Sequence, residues 1–327
     1  MVKLVNLSIT ACSFSLSLAN TKKGTGIINL NHPLSVKRFS TTNLNFSNAF
    51  GLLEDFFKAH ADIYDDKESQ RLYKCEYKPE DKVETDEFVV YPVTIKSGVY
   101  GSSSDIIDSE TKEIKYNKKT TDADFKQFYL MVVFPKDNSK VTVQRGLFIF
   151  QNIGSYGIKT VTTERMKYHL SYNFRITLTC NTISPSLFLN KMLEENEIKE
   201  IRLIKHYTSS DAADNLTCGY GEEMRVIRKL DFKNPLLQQL KESMKYMMGG
   251  KNRTIEFENI EYNKVKPVIM IGDRQRTFDL SNLENVSIIE ALPNSLKGID
   301  GNPDKDKLIE YLLDIIISYL KEMSLEF

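Results

Sequence analysis

The sequence predicts an α+β protein with a mostly antiparallel β N-terminal part and a split-βαβ (ferredoxin-like) C-terminal part that ends in a docking helix. Three patterns support this: apolar residues alternate with polar ones near the N-terminus, elements follow a β-α-β-β-α-β order between residues 175 and 262, and an apolar stripe at helical spacing precedes the C-terminus. The 327 residues suffice for two domains. We place their boundary at residue 182, which gives parts of residues 1–182 and 183–327.

The N-terminal segment predicts a long, half-buried strand. Apolar and polar residues alternate from Val5 to Leu18, whereas the core of an export signal is a continuous apolar run. The phase of the alternation changes between Ala11 and Cys12, which predicts a β-bulge at that point.

The rest of the first part predicts strands and two helices. Phe50, Leu53 and Phe57 form one apolar stripe, in a helix that Asn45 or Ser47 caps and that reaches residue 62. Thr163 is predicted to cap a second helix that ends near residue 172. Strands are predicted over residues 71–77, 87–98, 128–134, 141–151 and 175–180, the third and fourth forming a hairpin, and residues 101–124 an exposed hairpin or loop.

The second part supplies the remaining elements. Its last helix, opened by Asn302-Pro303, buries an apolar stripe from Leu308 to Leu320. The elements before it are helices over 186–195 and 235–248 and strands over 198–206, 224–230, 254–262, 265–272, 277–280 and 286–291.

Composition excludes several classes of protein. The 44 basic and 44 acidic residues cancel, which argues against a surface that binds polyanions everywhere. No run of about 18 apolar residues occurs, so we expect no membrane association. Four dispersed cysteines predict reduced thiols, a cytoplasmic location and no structural zinc site. No cofactor motif is complete, so we expect no cofactor.

Charge is nevertheless sorted along the chain. Residues 145–280 carry a net charge of +5, whereas residues 51–90 and 281–327 carry −6 and −5. Basic residues in the middle segment alternate with Tyr168, Tyr172 and Phe174, a mixture that suits a phosphate backbone and stacked bases. Solvated strand faces explain the same pattern without a ligand. The predicted basic face consists of Lys159, Arg165, Lys167, Arg175, Arg202, Lys205, Arg225, Arg228, Lys229, Lys251 and Arg253.

The order of elements from Phe128 to His206 resembles that of uncharacterised prokaryotic proteins from phage-defence or mobile-element loci. The resemblance rests on Arg145-Gly-Leu-Phe-Ile-Phe-Gln151, on Gly154-Ser-Tyr-Gly157 and on the strand Ile198–Ile204. It covers about a quarter of the chain and implies a setting in defence rather than active-site residues.

Together these patterns predict a defence component that binds nucleic acid, or a partner protein of the same locus, through the basic face; they favour a role without catalysis. Two alternatives remain open. Asp105 or Asp108 with Glu113 and Lys115 loosely matches a metal-dependent nuclease. A structural or assembly protein would instead use its acidic and basic segments to form a homo-oligomer.

Overall fold

The computed structural model describes residues 7–19, 26–39, 41–137, 142–154, 156–183, 198–208, 220–228, 255–257, 260–262, 264–271, 274–277, 289–298 and 301–323. The chain divides into two compact units. Unit 1 comprises Met1–Asn181 and Leu292–Phe327, and unit 2 comprises Thr182–Ala291. The predicted division differs from this one, because it assigned residues 292–327 to the second part.

Unit 1 is built on a large sheet. Its strands are β1 (Leu7–Leu18), β4 (Tyr64–Asp66), β5 (Arg71–Tyr77), β6 (Val83–Glu84), β7 (Phe88–Val99), β10 (Lys126–Pro135), β11 (Gly146–Ile153) and β12 (Ile176–Thr182). The order across the sheet is β12-β1-β11-β10-β7-β5-β4, and β6 pairs with β7 beside this path. The pairs β1–β11, β11–β10, β10–β7, β7–β5 and β5–β4 are antiparallel, so the predicted β10–β11 hairpin is confirmed.

Strand β1 is buried on both faces. Ile9 and Phe14, which point to opposite faces, are almost fully buried, and so are the polar Ser8 and Thr10. The register with β11 runs unbroken from Leu7 to Phe14, so the predicted bulge is wrong there. The polar residues that suggested a solvent face lie inside because β1 is a central strand with a neighbour on each side.

Two helices cover one face of the sheet. They are α1 (Phe50–Ala59) and α2 (Lys159–Phe174). Their apolar residues share one core with β1, β5, β7, β10, β11 and β12. Within it the Phe14 and Phe148 rings stack at 4.0 Å between centroids.

Both helices begin without the predicted caps. Helix α1 follows Ala49, and the Asn48 side chain accepts a bond from the Phe50 N–H at 3.0 Å. Helix α2 follows Ile158, five residues before the predicted cap Thr163. Thr163 lies inside its first turns, where the hydroxyl donates to the Lys159 carbonyl at 2.8 Å.

Two hairpins extend from this core. The first joins β2 (Leu34–Arg38) to β3 (Thr42–Phe46), and the second joins β8 (Ser104–Ile107) to β9 (Ile114–Lys118). Every residue of β8 is exposed, which confirms the predicted exposed hairpin.

Unit 2 contains a four-stranded antiparallel sheet. Its strands are β13 (Ile198–Thr208), β14 (Tyr220–Arg228), β17 (Lys264–Ile271) and β18 (Arg274–Thr277), in the order β14-β13-β17-β18. The segment 255–262, predicted as one strand, forms a hairpin of β15 (Ile255–Phe257) and β16 (Ile260–Tyr262). The last strand is β19 (Ile289–Ala291).

The ferredoxin-like order is not confirmed. Its first predicted strand, β12, joins β1 in unit 1, and β13 is flanked by β14 and β17. The predicted helices over 186–195 and 235–248 lie outside the described residues.

The C-terminal helix belongs to unit 1. Helix α3 (Lys305–Glu322) is capped by the Asp304 carboxylate, which accepts the N–H groups of Asp306 and Lys307. Lys305 forms an ion pair with Asp81. The predicted apolar stripe is confirmed by the near-complete burial of Leu308, Leu312, Ile316 and Leu320. In the described part of the chain, no helix is both long and apolar enough to cross a membrane.

Removing the Phe148 side chain tests this core. Phe148→Ala should lower the free energy of unfolding by about 3–5 kcal/mol, because it leaves a cavity against Phe14. Ile107→Ala, at a side chain 56% exposed, should change it by less than about 0.5 kcal/mol. Urea titrations followed by circular dichroism give both values, and equal midpoints for the two variants would contradict this account of the core.

Candidate nucleic-acid interface

Helix α2 presents three different faces. Met166, Leu170 and Phe174 are buried in the core. Tyr168 and Tyr172 lie on the outside, 69% and 63% exposed. Residues four apart on a helix are neighbours, so the two tyrosines form one surface feature. Phe174, which the sequence grouped with them, instead packs edge-on against Phe46.

The two tyrosines continue into a third exposed ring. Their own rings are nearly parallel, at 8° and 5.6 Å between centroids. The Phe39 ring meets Tyr172 edge-on at 5.7 Å and is 54% exposed. We call Phe39, Tyr168 and Tyr172 the aromatic row. Phe39 is distant in sequence and follows no periodic pattern, so the sequence offered no signal for its place here.

The turn between β2 and β3 holds Phe39 in position. Its backbone is left-handed, with φ of 50°, and its N–H donates to the Asn173 carbonyl at 2.8 Å. The Arg38 guanidinium lies 5.6 Å from the Phe39 ring and 5.9 Å from that of Phe174. The hairpin is thus attached to the C-terminal end of α2.

A chain of polar side chains lies beneath the row. Asp55 of α1 accepts bonds from His169 Nε2 at 2.9 Å and from Arg38 Nη1 at 3.4 Å. Asn173 Nδ2 donates to His169 Nδ1 at 3.1 Å, which places the imidazole proton on Nε2. Burial raises the pKa of Asp55, but the bond from His169 and the charge of Arg38 outweigh it and lower the pKa overall.

Arg165 is turned inward. Its side chain is 13% exposed, and its guanidinium bonds Asp66 at 2.5 Å. It also lies 4.3 Å from the Tyr64 ring and 5.5 Å from that of Tyr73. The predicted basic face includes Arg165, and His169 follows it one helical turn later. In the structure Arg165 pairs with Asp66, and His169 bonds Asp55.

His60 ends the buried polar region at the C-terminus of α1. Its Nδ1 donates to the Phe56 carbonyl at 2.9 Å. The rings of Tyr64, Tyr73 and His169 surround it at 5.5–6.1 Å. Burial lowers the pKa of His60, and the charges of His169 and Arg165 lower it further, although the Phe56 carbonyl opposes this.

Three other predicted basic residues of unit 1 lie on or near the outer surface of α2. Lys167 and Arg175 are exposed, and Lys159 is half-buried. Arg175 forms the left-handed C-cap of α2, three residues after Tyr172. Lys37, which the sequence did not single out for this face, is exposed two residues before Phe39. Lys167 and Arg175 thus lie within three residues of Tyr168 or Tyr172 along the chain, whereas Lys159 lies at the N-terminal end of α2.

The basic residues of unit 2 are partly neutralised. Glu200 is buried and bonds both Arg202 Nε at 2.6 Å and Arg228 Nε at 2.9 Å. The bonds from Arg228 and Arg202 lower the pKa of Glu200. Lys205 and Arg225 are half-buried. Lys229, Lys251 and Arg253 lie outside the described residues.

The residues of the nuclease hypothesis build a turn. Asp108 Oδ1 accepts the N–H groups of Glu110 and Thr111, and Lys115 lies 3.6 Å from Asp108 Oδ2. Asp105 accepts a bond from Asn117, and Glu113 is exposed. Within the described ranges, no three His, Cys, Asp or Glu residues are grouped to hold a metal ion.

No protein-family model matches the sequence, and no curated protein shows significant similarity to it. The residues and their geometry therefore carry the functional argument.

His60 makes stability depend on pH. Its folded-state pKa is depressed, so the unfolded chain binds the proton more readily. The stability that neutral His60 contributes is fully present above the ordinary histidine pKa of about 6.5. It is lost as pH falls through the lower folded-state pKa. Urea midpoints of the wild type should therefore fall between about pH 7.5 and pH 5.5.

His60→Gln, which keeps a donor for Phe56, should lose less stability over this range than the wild type. The control is His32→Gln, whose side chain is 62% exposed, and it should behave as the wild type does. A His60→Gln protein with the full pH dependence would assign that dependence to another group.

Proposed function

We propose that the chain is a non-catalytic protein that binds single-stranded nucleic acid on the aromatic row of α2 and the β2–β3 turn. The observation that carries the proposal is three exposed, mutually packed rings in the midst of basic side chains. The resemblance of residues 128–206 to defence-locus proteins supports a setting in prokaryotic defence.

The rings suit bases because every base has a π-face that stacks on an aromatic side chain, whatever the base sequence. An exposed group of large apolar side chains is informative in a way that a single exposed ring is not. The contacts Phe39–Tyr172 and Tyr168–Tyr172 keep the rings ordered before a ligand arrives. A base stacked on an outer ring face would therefore require little reordering of these side chains.

The surrounding charge suits a phosphate backbone. Lys37, Lys167 and Arg175 are exposed near the rings, and one exposed acid, Glu164, lies one turn before Tyr168. Arg38 adds a guanidinium beside Phe39, held in place by Asp55. Cations that contact phosphates release bound counterions, so binding through them must weaken with salt.

A sheet face in unit 2 is a second surface for the same function. Arg202 lies directly opposite Lys266 on β17, and Arg228 is 74% exposed. Met224 and Val226, on the same face of β14 as Arg228, are 54% and 37% exposed. Among the residues described on this face no two rings stack on each other, whereas Tyr168 and Tyr172 do, so the aromatic row is the better base-stacking surface.

Replacing both tyrosines tests the stacking. Tyr168→Ala with Tyr172→Ala should weaken binding of a single strand of about 16 nucleotides by at least tenfold, because each stacked base contributes about 1–3 kcal/mol. Fluorescence anisotropy with labelled RNA and labelled DNA of one sequence measures the change and shows which sugar is preferred.

Tyr168→Phe with Tyr172→Phe is the matched control, since it keeps both rings and should bind within about threefold of the wild type. If the wild-type protein binds neither strand, or the alanine variant binds as tightly, the aromatic row is not a nucleic-acid site. Binding of a protein from the same locus to the row would then support the partner-protein alternative.

The two basic surfaces can be separated by salt dependence. Lys167→Gln with Arg175→Asn should make log Kd less steep in log salt by about 0.7 for each cation removed. Asn is chosen because the backbone of Arg175 is left-handed, a conformation that Asn tolerates.

Lys205→Gln with Arg228→Gln is the corresponding change in unit 2 and leaves Arg202 on Glu200. It should not alter the salt slope. If it alone flattens the slope, the nucleic acid lies on the sheet of unit 2. Light scattering at low and high salt checks that neither pair of changes acts through self-association.

A further inference from the structure

Two cysteines from distant parts of the chain lie side by side in the large sheet. Cys12 is on β1 and Cys180 is on β12, which neighbour each other. Ser13 Oγ donates to the Asn181 carbonyl at 3.3 Å, and the Ala19 N–H donates to the Arg175 carbonyl at 2.8 Å. Both bonds fit one antiparallel register, in which Cys180 lies opposite Phe14 and Cys12 lies two residues further along the same face of β1.

The two thiols contact each other. A hydrogen bond links the Cys12 and Cys180 side chains, and both pack against the core shared with α1 and α2. Cys12 is 1% exposed, whereas Cys180 is partly exposed. Small oxidants therefore reach Cys180 first, with Cys12 directly behind it.

The surroundings favour a reactive sulfur at Cys180. The hydrogen bond from Cys12 lowers the pKa of Cys180, burial opposes this, and the charges of Lys167 and Lys159 lower it further. The bond to Cys180 and burial raise the pKa of Cys12, so its proton stays on sulfur. Cys180 is therefore the accessible member of the pair, and its sulfur lies within range of two lysine charges.

We propose that Cys12 and Cys180 form a redox-active pair that hydroperoxides convert to an intrachain disulfide. The inference is independent of nucleic-acid binding. It follows from contact between two thiols on neighbouring strands, one of them accessible, beside two lysines.

Each step balances in atoms and electrons. The Cys180 thiolate attacks the terminal oxygen of a hydroperoxide; the S–O bond forms, the O–O bond breaks, and the alkoxide or hydroxide leaves with a proton from solvent. The Cys12 sulfur then attacks the Cys180 sulfenic acid, forming the S–S bond as the S–O bond breaks. The Cys12 proton leaves with the hydroxyl group as water. Two electrons pass from the thiols to the peroxide.

Strand β12 can accommodate the bond. A disulfide needs about 2.05 Å between sulfurs, so the strands must approach each other locally. Among the described strands, β12 stands at the end of the sheet order and pairs with β1. An end strand moves at less cost than one held on both sides.

Peptide mapping of the wild-type protein tests the proposal directly. Trypsin should place the four cysteines in separate peptides, residues 4–22, 75–82, 176–191 and 206–225. The folded protein is treated with hydrogen peroxide, then denatured in urea with N-ethylmaleimide present, digested and analysed by mass spectrometry with and without reductant. Peptides 4–22 and 176–191 should appear linked, and reductant should release both.

Cys75 is an internal control. It donates to Tyr73 Oη at 3.3 Å, and burial raises its pKa to about 12, so it should resist oxidation and peptide 75–82 should carry N-ethylmaleimide after denaturation. Cys180→Ser should also protect Cys12 from oxidation. Linkage of either cysteine to Cys218 or to another chain, or Cys180 sulfinic acid with Cys12 still alkylated, would overturn the proposal.

Discussion

The candidate interface depends on the two hydrogen bonds that the Asp55 carboxylate accepts, from His169 and from Arg38. Asp55 lies on α1. Its bond with His169 connects α1 to α2, and its bond with Arg38 connects α1 to the β2–β3 hairpin. A carboxylate with a charged donor and a second hydrogen bond remains ionised, which its lowered pKa reflects. Without it the hairpin would keep the Phe39–Asn173 backbone bond but lose the charged contact that orients Arg38.

Helix α2 shows how a polar helix can be buried on two sides. One face packs in the core, a second supplies Arg165 and His169 to partners on neighbouring elements, and the third carries Tyr168 and Tyr172. Each buried charge of α2 has an opposite charge or a hydrogen-bond partner, as burial in a low dielectric requires. The tyrosines have no such constraint, so packing alone does not account for two large rings in solvent.

Most elements of unit 1 could be predicted, because strands such as β5 and β7 and the core side of α1 follow from residue periodicity. Three features could not. Ser8 and Thr10 suggested a solvent face, since sequence cannot tell a polar residue on a surface from one buried in a central strand. The place of β12 depends on pairing with β1, more than 150 residues away. Phe39 reaches the site through a turn of the backbone that no pattern indicates.

The predicted basic face shows why a count of charges along the chain is a weak guide to a binding surface. Arg165 is matched by Asp66, and Arg202 and Arg228 share Glu200, so these cations of the predicted face already contact acids. Tertiary structure decides which cations remain available to a ligand. The net charge of a sequence segment does not show which of its cations are paired with acids. Lys167 and Arg175 differ from these three cations, because each lies within three residues of an exposed tyrosine of α2. The combination of cation and aromatic surface, rather than net charge, therefore distinguishes this region from a solvated basic face.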